Sequence, residues 1–159
     1  MSPAALAAEQ WKQLPLPVPV VRTAPPRRAS GLAGLPHWFW VTNWRPRTER
    51  AEAGGAWIEV TARPQYLVIE PGNGQPPVRC PGPGTAYDPT RPASSQRTDC
   101  SYAFERSSAG LPQGAYQVRV TVVWSGTWVG SGGAGGALPP VSRSVAFPLR
   151  VAEAQSLYR

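Results

Sequence analysis

The sequence predicts an all-β sandwich. Three observations carry that reading. The clearest periodic stretch, Tyr116 to Trp124, alternates apolar and polar residues with period two. Several short β-prone runs are separated by strong turn signals such as Pro71-Gly72-Asn73-Gly74. No helical periodicity falls between those runs, so sheet must pack on sheet.

Taken in order, the chain opens with a short helix over residues 2–13, where Ser2 can cap, Pro3 suits the first turn and Ala4 to Gln13 are good helix formers. Such a helix is marginal alone and needs a surface to dock on. Residues 14–36 read as an extended Pro-rich arm, which gives a division into 1–36 (helix and arm) and 37–159 (sandwich). Strands follow at Trp38–Thr42, at Trp57–Ala62 with Ile58, Val60 and Ala62 on one side, and at Tyr66–Glu70. A short strand around Val78 leads to Cys80, and another spans Ser101–Phe104. In the Tyr116–Trp124 strand, Tyr116, Val118, Val120, Val122 and Trp124 share the predicted core face. The glycines of 130–137 read as a flexible loop. The final strand runs from about Ser144 to Val151, an edge strand because Pro148 cannot donate to a ladder.

Composition narrows the class further. The 159 residues include 20 Pro and 16 Gly, yet 42% are hydrophobic and seven are Trp, which argues for a packed domain with many turns rather than a disordered chain. The net charge of +7 rests on 15 Arg against the single Lys12. The arginines are scattered, with denser groups at Arg22-Arg27-Arg28 and Arg45-Arg47-Arg50, so a nucleic-acid stripe is disfavoured. No run of 18 apolar residues is present to span a membrane. No signal peptide is present in this numbering, so export would require a leader ahead of it.

Cys80 and Cys100 are the only cysteines and enclose nineteen residues rich in Pro and Gly. An even count in a small domain predicts a disulfide and an oxidising compartment. The alternative is a nucleophilic or metal-binding thiol, which a lone histidine serves poorly. That histidine, His37, is expected to be structural. Gly130 to Gly135 matches the dinucleotide glycine pattern, but Pro139-Pro140 follows where a helix is needed. Glu70, Asn73, Asp88 and Asp99 match no calcium-loop spacing. The expectation is therefore a protein without catalytic residues, metal or cofactor.

The order of motifs resembles the PKD domain. Tyr66-Leu67-Val68-Ile69-Glu70-Pro71-Gly72-Asn73-Gly74 is similar to that family's strand and acidic turn. Tyr102-Ala103-Phe104 and Gly114-Ala115-Tyr116-Gln117-Val118 resemble its later run, with Ser101 where a histidine is usual. Over nearly the whole chain the pattern is similar to a group of exported actinobacterial proteins with PKD-like domains. The matching residues are Leu35 to Val41, Cys80 to Tyr87, the second cysteine, and the pair Trp124 and Trp128. The resemblance implies an immunoglobulin/PKD-like β-sandwich and a secreted or cell-surface location, with no activity to carry over. A glycine two residues before Tyr116 also suits a tyrosine corner, in which the hydroxyl bonds nearby backbone.

Two function classes follow. One is a structural or protein-interaction module of the cell envelope, as part of a larger secretion or pilus-like assembly. The other is a carbohydrate- or anionic wall-polymer-binding module using Trp and Arg. The candidate binding residues are Trp38, Trp40, Trp44, Trp128, Arg45 and Arg47, with Tyr116 and Trp124 structural. Buried rings beside an apolar patch would favour a protein partner, and a flat exposed row of Trp would favour sugar.

Overall fold

The structure, a computed structural model, describes residues 1–153, so the last six residues of the predicted sandwich segment lie outside the described residues. The described residues form an all-β sandwich with one α-helix, α1 (Pro3–Gln13). Ser2 caps that helix, its hydroxyl oxygen accepting from the Ala5 N–H at 3.1 Å, and Pro3 opens the first turn.

The strands are β1 (Val21–Ala24), β2 (Gly31–Leu32), β3 (Pro36–Val41), β4 (Arg47–Ala53), β5 (Ala56–Glu70), β6 (Val78–Cys80), β7 (Ser101–Ala103), β8 (Tyr116–Gly130), β9 (Gly135–Leu149) and β10 (Val151–Ala152). The larger sheet has the order β4-β5-β8-β9, with β6 added to the far end of β5 on the β4 side. The smaller sheet is antiparallel in the order β1-β3-β7, and β2 pairs in parallel with β10.

The core face of β8 is the one the alternation predicts: Tyr116, Val118, Val120, Val122 and Trp124 are all buried. They meet Ile58, Val60 and Ala62 of β5 and Phe39 of β3 in one cluster. Each fully buried aliphatic side chain of this kind contributes about 1.5–3 kcal/mol.

Several boundaries differ from the sequence reading, each for a physical reason. Trp57–Ala62 and Tyr66–Glu70 are one strand, β5, because the ladder to β8 absorbs Pro64 in a bulge between Pro64 and Tyr66. β8 likewise continues past Trp124, and β9 starts at Gly135 rather than at Ser144. The register shift between Trp124 and Gly126 leaves Pro139 and Pro140 out of the ladder. The glycine loop of 130–137 thereby contracts to the turn around Ser131–Gly133. β9 occupies the sheet edge, as Pro148 implies. β4 has no counterpart in the reading, since its charged, exposed residues carry no apolar alternation.

The N-terminal segment is built into the sandwich. Ala7, Trp11, Leu14, Leu16 and Val21 join the common core cluster. The Trp11 indole N–H donates to the Pro139 carbonyl at 2.9 Å, and its ring lies where a Cβ on Gly126 would approach to 2.6 Å. Residue 126 is therefore held to glycine by contact. Cys80 and Cys100 are bonded, with Cα atoms 5.3 Å apart, tying β6 of the larger sheet to the residue preceding β7 of the smaller one. Tyr116 makes the expected corner: its hydroxyl donates to the Arg106 carbonyl at 2.7 Å.

Candidate binding groove

Period-two alternation on the small sheet decides what reaches the surface. Val21 and Thr23 of β1, and His37, Phe39 and Val41 of β3, turn inward and are buried. Arg22, Ala24, Trp38 and Trp40 turn outward, with Arg22 opposite Trp40 and Ala24 opposite Trp38 in register. The disulfide-closed loop then folds over this outer face. Val41 N–H donates to the Pro83 carbonyl at 2.8 Å. Gly84 lies so close to β3 that a Cβ would sit 2.4 Å from the Phe39 carbonyl oxygen, and its φ is +84°. Only glycine meets both conditions. Beyond it, the Tyr87 ring meets Trp38 edge to face, with centroids 5.2 Å apart.

No residue between Cys80 and Cys100 is buried, so hydrogen bonds within the loop give it shape. Asp88 accepts from the Thr90 N–H at 2.9 Å and from the Thr90 hydroxyl at 2.6 Å. Those two bonds hold its carboxyl below the usual carboxylate range. The Gln96 amide spans the turn, accepting from the Asp88 N–H at 2.8 Å and donating to the Asp88 carbonyl at 2.7 Å.

Between the loop and the outer face of the small sheet lies an open groove of about 950 Å³. Trp38, Trp40 and Tyr87 line it together with Pro25, Pro26, Pro36 and Pro89. Val20 and Leu35, respectively 48% and 54% exposed, also line it and extend its apolar surface outward. Arg22 and Arg27 are its charged lining residues, and no Asp or Glu lines it. The Arg27 guanidinium stacks over Phe147 at 4.4 Å.

Of the residues singled out in the sequence, Trp38 and Trp40 fall in this groove and the others lie elsewhere. Trp44 borders, with Trp124, Pro17 and Pro19 of the arm, a separate narrow crevice. Trp128 is buried, its ring closing on Gly130 and Gly136. Arg45 and Arg47 are exposed away from the groove, Arg47 opening β4 opposite Ala62. The six candidates therefore do not share one surface: Trp44 and Arg45 follow the end of β3 and do not line its outer face. Tyr87, Arg22 and Arg27 were missed. A signal for Tyr87 was present, because the Cys80–Cys100 closure confines it to one short loop.

His37 lies beneath the sheet. It is 2% exposed, its Nε2 bonds to the Pro25 carbonyl at 3.0 Å, and burial pushes its pKa down to about 4. Its ring occupies the space a Cβ on Gly31 would need, 2.6 Å from Nδ1. The four residues weighed for calcium have other partners or positions. Glu70 faces Arg119 at 3.9 Å, and Asn73 donates to the Tyr102 hydroxyl at 2.8 Å. Asp88 shapes its loop, and Asp99 is exposed beside Cys100. Among the described residues, no three His, Cys, Asp or Glu side chains gather as a metal site would require. Among the described residues, no helix is long and apolar enough to cross a membrane.

The geometry offers aromatic faces, proline edges and two guanidinium groups around an open trough. Such a surface binds by contact area and by charge. No protein family, curated protein or solved structure matches this chain.

Proposed function

We propose that this chain is a non-catalytic, extracytoplasmic interaction module of the cell envelope, acting within a larger assembly through the groove over its small sheet. The observation that carries the reading is the groove itself: half-buried Trp38 and Trp40 beside an apolar patch formed by Val20, Leu35 and several prolines. The disulfide supports an oxidising compartment. The tyrosine corner and the two-sheet arrangement support an immunoglobulin- or PKD-like sandwich.

Placement of Trp38 and Trp40 two residues apart on one strand face also favours a second reading, a platform for a wall glycan. Sugar recognition needs many hydrogen-bonding side chains around the ring faces. Here the Gln96 amide is committed to its own loop, and Tyr87 meets Trp38 edge-on. A protein partner is the better fit.

Size-exclusion chromatography of envelope fractions tests this. The chain should elute within a larger protein assembly, and Trp40→Ala should release it as a free chain. Release by a wall-degrading glycosidase instead would favour the glycan reading. Elution unchanged by Trp40→Ala would remove the groove from the account.

A further inference from the structure

The chain already shows how its surface beds an extended proline segment. In the arm, Pro17 and Pro19 border a narrow crevice whose other walls include Trp44 and Trp124. Asn43 reads the arm's backbone on both sides, donating to the Val18 carbonyl at 3.0 Å and accepting from the Val20 N–H at 2.9 Å. This arrangement of indole faces, proline rings and one side-chain amide on the backbone is the chemistry by which aromatic grooves take polyproline II segments. The arm then enters β1, and the neighbouring groove repeats the aromatic half of the arrangement with Trp38, Trp40 and Tyr87.

Charge selects the composition of the occupant. Arg22 and Arg27 line the groove and no carboxylate does, in a chain whose net charge is +7. A second copy of this chain would bring like charge to that lining, and its own arm is already seated. Resting on the reading of the groove as a protein-binding site, we infer that its occupant is an extended, proline-containing acidic segment of a partner protein. Prolines of that segment sit among Trp38, Trp40 and Tyr87, where their fixed φ lowers the entropy lost on binding. Its carboxylates meet the Arg22 and Arg27 guanidinium groups, which can hold them bidentately.

The test uses the full disulfide-bonded chain and calorimetric titration with synthetic probes. These are a short peptide of proline and glutamate, its proline and lysine counterpart, a proline-free glutamate and alanine peptide, and a β-linked gluco-oligosaccharide. The acidic proline peptide should bind, with both other peptides weaker by about tenfold or more. Tyr87→Ala, a change at a half-buried loop residue outside the core cluster, should weaken binding by about tenfold, and Trp40→Ala should do the same, each in a chain with an unchanged circular dichroism spectrum. Arg22→Glu combined with Arg27→Glu should reverse the preference toward the lysine peptide. Binding of either other peptide as tightly as the acidic proline peptide, no binding of the acidic proline peptide, or binding only of the oligosaccharide would overturn the inference. If the peptide fails while the Trp40-dependent assembly persists, this inference falls and the interaction module stands.

Discussion

His37 and Tyr116 show how single side chains are fixed by what surrounds them. Burial lowers the His37 pKa from 6.5 to about 4, so the folded chain keeps a neutral ring where the unfolded chain takes up a proton. Between those values the unfolded state binds more protons, and stability must fall as pH drops from about 6.5 toward 4. At about 1.4 kcal/mol per pKa unit, the full effect is roughly 3 kcal/mol. Denaturant melts of wild type and His37→Gln across that range should show the wild type losing this much more; parallel curves would place the ring in water. Tyr116→Phe removes the donor to the Arg106 carbonyl and should cost about 0.5–1.5 kcal/mol. These two roles were legible because a lone histidine beside proline and a glycine ahead of a strand tyrosine are local signals. The disulfide loop that holds Tyr87 was legible too, but its contact with Trp38 was not, because the two are 49 positions apart and only folding of the loop brings them together.

The strands divide by whether one of their faces is buried. β8 was readable because alternation survives wherever one face meets the core. Val120→Asp, at a position with no exposure, should unfold the chain, whereas Thr127→Asp on the wet face should leave the melting temperature nearly unchanged. β4 was invisible because nothing on it is buried, and its existence depends on the β5 edge beside it. β5 and β9 were read short because proline marks a strand end locally, while a long ladder absorbs it in a bulge. The disulfide was legible from two residues, but its consequence was not: it closes the loop that walls the groove. Replacing Cys80 and Cys100 with serine should cost about 3 kcal/mol. It should also separate Tyr87 from Trp38, read as lost edge-to-face ring-current shifts in proton NMR; retention of those shifts would show that the loop's own hydrogen bonds suffice.

Across the whole molecule, the helix and arm complete the sandwich and leave one aromatic trough on its small sheet. The sequence pointed to aromatic contact in general, and Trp38 and Trp40 from that reading line the groove. It could not separate them from Trp44 and Trp128, since exposure of an indole depends on which segment crosses it. The central claim is that the groove over β1 and β3 is the surface that meets the partner. Photo-crosslinking in the intact envelope tests it most directly, with benzoylphenylalanine at position 87 in the groove or at position 129, 54% exposed on the outer face of the larger sheet. Protein adducts should form at 87, disappear with Trp40→Ala, and be absent at 129; adducts at 129 alone would contradict the account.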